Sequence, residues 1–208
     1  LAILFRSEKQ YDFMILPIVA YGSPVLKRVA DTITPDYPNL ETLIENMWET
    51  MYASHGVGLA APQIGLSIRL FVIDASPFVD EEEMDQEEIQ TLKDFKKVFI
   101  NPTIIDEEGS FWAFNEGCLS IPEVREDVSR REQISISYFD ENFTPQRLQL
   151  NGLAARVVQH EYDHIEGVLF TDHLSPLKKR IIKNRLIAIS KGAISVDYLM
   201  KFPKKSRR

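Results

Sequence analysis

The sequence predicts an α+β fold in a single domain: mixed short β-strands around a central helix, with a further helix near the C-terminus. Three observations predict it. The chain has 208 residues, 44% of them apolar, which suits one domain with one buried core. Gln133–Phe139 and Arg147–Leu150 alternate polar with apolar residues (Ile134, Ile136, Tyr138; Leu148, Leu150), the period of half-buried strands. Between Gly152 and Gly167 lies a run without Pro or Gly in which Leu153, Ala154, Val157 and Val158 recur at helical spacing.

The remaining elements follow in order. Pro38 and Asn39 signal a helix start, and Leu40, Leu43, Ile44, Met47, Trp48, Met51 and Tyr52 form one apolar stripe up to Ser54. The Met and Trp of that stripe are core residues. His55–Gly65 reads as a glycine-containing loop and Arg69–Asp74 as a short buried strand. Residues 75–97 carry Asp80, Glu81, Glu82, Glu83, Asp85, Glu87 and Glu88 and read as a solvated insertion. Val98–Asn101, Thr103–Asp106 and Ser110–Phe114 are three short extended runs. Asp140-Glu141-Asn142 turns the chain between the alternating strands. Ser175-Pro176 opens the last helix, which has Leu177, Ile181, Ile182, Leu186 and Ile189 on one side and a basic opposite face. The basic end, 201–208, is expected to fray.

Composition excludes several classes. The net charge of -7 argues against a generally basic, sequence-specific nucleic-acid surface. No apolar run reaches the length of a membrane span. The single cysteine, Cys118, allows no internal disulfide and suits a reducing cytoplasm.

The chemistry concentrates in the central helix. His160-Glu161-Tyr162-Asp163-His164 is an H-E-x-x-H pattern. On a helix the two histidines lie one turn apart on one face and can share a metal ion. Glu161, displaced by about 100°, borders the same site as a base that could take a proton from water. The third ligand stays open. The extended pattern with a third histidine fails, because Phe170 stands where it requires His. Glu166 sits on a different helix face and His173 beyond the helix end. The lone Cys118 is a further candidate; by itself, it would read as a small buried apolar residue.

Gly56-Val57-Gly58-Leu59-Ala60-Ala61-Pro62-Gln63, Glu116-Gly117-Cys118-Leu119-Ser120 and the H-E-x-x-H helix, in this order, closely resemble the three signature motifs of peptide deformylases of bacterial type. The resemblance runs from about Met14 to Ser190. It implies an N-terminal extension over 1–13, a catalytic domain over 14–190 interrupted by the acidic insertion 75–97, and a tail over 191–208. It implies an opening extended run and a turn within Ile15–Arg28. The implied function is metal-dependent removal of the formyl group from the formylmethionine of nascent peptides. Cys118, His160 and His164 would bind one divalent ion, Fe²⁺ in cells with Zn²⁺, Ni²⁺ or Co²⁺ as substitutes, and leave one position open. Glu161 would be the base, with Gln63 and the Leu119 N–H as oxyanion donors. Val57, Gly58, Gly117, Arg125, Leu153, Arg156 and Val157 are the implied substrate contacts, although the apolar ones serve equally as core and Arg125 as a surface charge. Glu116, Arg130 and Asp163 would support the site, with Arg130 paired to Glu116 or Asp163. The basic last helix and tail suit transient ribosome contact, and serve equally as a solvated helix face. The alternatives are a zinc peptidase or other amidase, and an inactive binding protein of the same fold.

Overall fold

The computed structural model describes residues 13–80, 84 and 86–204; of the expected extension 1–13, only Phe13 lies within them. Seven strands and four α-helices are described: β1 (Ile18–Val19), α1 (Leu40–Ala53), β2 (Gly58–Ala60), β3 (Leu70–Asp74), α2 (Gln86–Lys93), β4 (Lys96–Cys118), β5 (Ile121–Phe139), β6 (Pro145–Asn151), α3 (Gly152–Ile165), α4 (Pro176–Ser190) and β7 (Met200–Lys201). Strands β2-β3-β4-β5-β6 form one sheet in sequence order, with every neighbour antiparallel. β1 and β7 form a separate parallel pair. This is the expected α+β class.

The sheet is covered on both faces because β3 alternates. Phe71 and Ile73 join a buried cluster with Leu153, Ala154, Val157 and Val158 of α3. Leu70 and Val72 face the other way, toward Ile44, Met47, Trp48 and Met51 of α1. The period of two in the strand and of 3.6 in each helix thus builds three layers. A third cluster seats Ile182, Leu186 and Ile189 of α4 against Ile121, Val124 and Val128 of β5. α1 begins one residue after Asn39, as its sequence signals predict, but Asn39 adopts a left-handed conformation and its side chain makes no capping bond.

Five element readings need correction. The three short runs expected after residue 97 are one strand, β4, of 23 residues. Its partner β5 starts at Ile121, well before the alternating stretch that marked it. The 55–65 loop contains β2 and a 3₁₀ turn, Ala61–Ile64. The acidic insertion is not simply solvated. Glu81, Glu82, Glu83 and Asp85 lie outside the described residues, but α2 places Leu92 in the core, with Phe95 just beyond it. Glu88 of α2 accepts a 3.4 Å hydrogen bond from the Leu153 N–H, which puts a carboxylate at the positive end of α3. At the chain's far end Lys201 is paired in β7 rather than frayed, whereas 205–208 lie outside the described residues.

Candidate active site

β4 and β5 form a long hairpin whose tip is the two-residue turn Leu119-Ser120, closed by the Cys118–Ile121 pair. That tip delivers Cys118 to α3. The Cys118 Sγ lies 3.3 Å from His164 Nε2, and the two histidine rings stand edge to face with centroids 5.1 Å apart. Ligand atoms of Cys118, His160 and His164 all lie within 4.8 Å of one another. The two local alternatives are engaged elsewhere: Glu166 pairs with Arg69 at 2.7 Å and His173 with Asp163 at 2.7 Å.

Behind this cluster lies a buried ionic network. Glu116 Oε2 sits 2.9 Å from His160 Nδ1, which leaves Nε2 of that ring for the cluster. Arg130 donates to both oxygens of Glu116, at 2.7 and 3.1 Å, and to Asp163 at 2.7 Å. Arg156 donates to Glu116 at 3.0 Å and to the carbonyls of Val128 and Trp112. The pairing expected of Arg130 with Glu116 or Asp163 is therefore made to both. Burial alone would push the Glu116 carboxyl up, but His160 and Arg130 outweigh it and hold the carboxyl well below the usual range.

Glu161 stands on the near side of the cluster. It is 4% exposed, and its Oε2 has no hydrogen-bond partner among the described residues. Burial pushes its carboxyl up to about 7, against the pull of His160 and His164. Gly58 packs directly against it. A Cβ at Gly58 would collide with the Glu161 carboxyl group, so only glycine lets backbone and carboxylate share that space. Gln63 is held from behind, since its Oε1 accepts from the Ala60 N–H at 2.8 Å. Its Nε2 then points at Cys118 Sγ, 3.5 Å away. The Cys118 thiol would be pushed up by burial, but His164 and His160 bring it down to about 5, which favours the thiolate a metal needs.

These groups open onto a cleft of about 810 Å³. Val57, Gly58, Gly117, Leu119, Arg125, Arg156 and Val157 line it. Leu153 does not; it is buried among the sheet residues of the α3 cluster. One helical turn before Val157, it points into the core rather than the opening. Arg156 reaches the cleft with its guanidinium spoken for, stacked 4.3 Å over Trp112. Arg125 is anchored by Asn115. Sequence reasoning missed Phe78, Phe114 and Ser195–Tyr198, which also line the cleft. Phe114 was legible as part of an aromatic run. Nothing local marks Tyr198, which is 79 positions from the residue it touches.

The donor set fits a divalent ion. Three soft or borderline ligand atoms converge, a carboxylate fixes the outer nitrogen of His160, and an unpartnered buried carboxylate oxygen adjoins them. Fold and site together define the class, a metal-dependent hydrolase with an open cleft. A family model described as polypeptide deformylase matches residues 15–180. A peptide deformylase of Christiangramia forsetii is 63% identical over 93% of this chain and 100% of its own length, and one of Flavobacterium johnsoniae is 59% identical over 91% and 96%. Among solved structures, a peptide deformylase from Legionella pneumophila superposes with a TM-score of 0.73 at 36% identity, covering 88% of this chain and 100% of that one. The chain belongs to the polypeptide deformylase family. It is an amide hydrolase that removes the formyl group from the N-terminal formylmethionine of newly made polypeptides and releases formate.

Proposed function

We propose that Cys118, His160 and His164 hold the metal and that Glu161, Gln63 and Leu119 carry the reaction. The observation that carries this reading is the convergence of the three donor atoms within 4.8 Å beside the buried, unpartnered oxygen of Glu161. When bound, the divalent ion supplies Lewis acidity toward the formyl carbonyl and toward water. Glu161 takes a proton from the water as it attacks the formyl carbon. The Gln63 amide and the Leu119 N–H donate to the oxyanion that develops on the formyl oxygen. As the carbon–nitrogen bond breaks, Glu161 passes its proton to the departing amine. The products are formate and a free N-terminus. Backbone groups of Gly56–Gly58 and Gly117 pair with the peptide in an extended, strand-like mode, while Val57 and Val157, with the stem of Arg156, receive the methionine side chain. Arg125 contacts the peptide further along.

Fe²⁺ is proposed as the working ion in cells, with Zn²⁺, Ni²⁺ and Co²⁺ able to substitute, since one sulfur and two imidazoles accept all of them. The catalytic body is proposed to span 14–190. A cytoplasmic setting suits a site built on a reduced thiol. Among the described residues no helix is long and apolar enough to cross a membrane. The basic face of α4, where Lys179, Arg180 and Lys183 are exposed, is proposed to meet the ribosome during synthesis.

Formate release from a short formyl-Met peptide tests the residue roles, with protein prepared anaerobically and loaded with Fe²⁺ or Ni²⁺. Cys118→Ala is expected to lose both metal and turnover. Glu161→Ala is expected to keep its metal and lose turnover by roughly 10²–10⁴-fold or more. Near-wild-type turnover in Glu161→Ala would sink the base assignment, and full metal content in Cys118→Ala the third ligand.

A further inference from the structure

The family match ends at residue 180, yet the chain beyond α4 returns to the active site. Its anchor is β7, which pairs in parallel with β1 through Ile18–Met200 and Val19–Lys201. The Ile18 N–H donates to the Leu199 carbonyl at 2.8 Å and the Ala20 N–H to the Lys201 carbonyl at 2.9 Å. Just before that anchor, Ser195–Tyr198 forms one wall of the cleft. At its rim Asp197 Oδ2 lies 3.5 Å from Nε2 of His55, the residue that leads into the Gly56–Gly58 loop. The segment therefore joins both sides of the peptide channel.

Its inner contact is chemical as well as steric. The Tyr198 hydroxyl donates to the Leu119 carbonyl at 2.8 Å. One residue further, the Ser120 carbonyl accepts from the Tyr21 N–H at 2.8 Å. The two-residue tip of the hairpin is thus clamped at both of its carbonyls. Beyond the Cys118–Ile121 pair that closes it, these two bonds from outside the hairpin hold the tip in place. The Leu119 N–H hangs on the same Cα as the clamped carbonyl, so without the Tyr198 bond the whole tip, N–H included, would be free to shift from the formyl oxygen.

We propose that Ser195–Tyr198 is a working wall of the peptide cleft and that Tyr198 is a positioning residue for deformylation, holding the Leu119 backbone so that its N–H meets the oxyanion. This rests on the assignment of Leu119 as an oxyanion donor. A pinned donor matters in the transition state more than in the ground state, so the effect falls on kcat. The wall, in contrast, touches only substrate beyond the methionine.

The test uses metal-loaded full-length protein, with formylmethionine alone and a formylmethionyl tripeptide as substrates. Tyr198→Phe keeps the ring and removes the hydroxyl. It is expected to lower kcat roughly five- to tenfold, the scale of one hydrogen bond, on both substrates. KM, metal content and thermal midpoint should stay at the wild-type values. Tyr198→Ala should add a rise in KM for the tripeptide but not for formylmethionine. Wild-type kcat in Tyr198→Phe overturns the positioning role, as does a loss of kcat that only parallels lost metal or a lowered midpoint. An equal change of KM on both substrates in Tyr198→Ala overturns the wall. Failure of the oxyanion reading itself would show separately, as unchanged kcat in semisynthetic protein whose Leu119 N–H is replaced by an ester oxygen.

Discussion

Glu116 ties three groups of the site together. It orients His160, neutralises Arg130 and Arg156, and is 3% exposed while doing so. Removing one charge from such a network leaves the others buried without compensation, at a cost of about 3–5 kcal/mol. Glu116→Gln should lower stability by that order in chemical denaturation and weaken metal retention, because the ring of His160 loses its acceptor. A variant with unchanged midpoint and metal affinity would show that the two arginines find other partners. At this scale the sequence was informative where spacing encodes geometry. His160, Glu161 and His164 are readable as one helix face and its border. Cys118 and Gln63 are readable only by likeness, because nothing in a strand end or a turn reveals what lies across from it. Leu153 shows the limit: helical spacing groups it with Val157, and only the packing of the sheet decides that Val157 reaches the cleft as well as the core while Leu153 stays in the core.

Elements were legible where their period is undisturbed, as in α1, α3 and α4. β4 was not, for a physical reason. Pro102 lacks an N–H, and Asn101 and Gly109 have positive φ (49° and 81°). Such residues punctuate a sequence like turns. In the sheet they fall at register shifts between Ile100 and Thr103 and between Glu108 and Phe111, so each is a bulge within one strand. The acidic run misled similarly, since its charges hide the threefold spacing of Ile89, Leu92 and Phe95. α1 and β3 are joined by Asp74, which accepts from the Tyr52 hydroxyl at 2.7 Å and from Ser76 at 2.6 and 3.0 Å. Burial would raise the Asp74 carboxyl, but Ser76, Tyr52 and nearby Lys96 outweigh it and lower it. A carboxyl lowered by folding stabilises the fold above its unfolded value, about 3.9. That contribution is lost as pH falls through the folded value. Asp74→Asn should cost about 1 kcal/mol at pH 7, with the gap to wild type closing below pH 4, measured by urea midpoints at pH 7 and pH 3. A gap that stays constant with pH would exclude the carboxylate as its source.

Charge is unevenly shared across the whole molecule. The chain carries -7 overall, yet α4 presents Lys179, Arg180 and Lys183 to solvent. Lys178 and Arg185 of the same helix are paired to Glu126 and Glu123. A basic stripe on an acidic body is suited to oriented approach to a polyphosphate surface. Co-sedimentation with ribosomes should weaken as salt rises, and should fall further in a variant carrying Lys179→Glu, Arg180→Glu and Lys183→Glu. Turnover of a short formyl peptide should be unaffected, because α4 lies outside the cleft. Undiminished ribosome binding by that variant would remove α4 as the contact. The single domain was readable from length and composition, but the return of the chain's end to the hairpin tip was not. Only a folded chain reveals which distant segments become neighbours.

The uninterrupted pairing from Phe111–Arg131 to Gly117–Arg125 has one more consequence. Over that run the even-numbered residues Trp112, Phe114 and Glu116 turn toward α3, and the odd-numbered Phe111, Ala113 and Asn115 toward solvent. The active centre is therefore a matter of parity. One residue added within the run would exchange the two sets and send the carboxylate that steadies His160 outward, whereas two would restore it. The chemistry of this enzyme is written in the phase of a strand as much as in the identity of its residues.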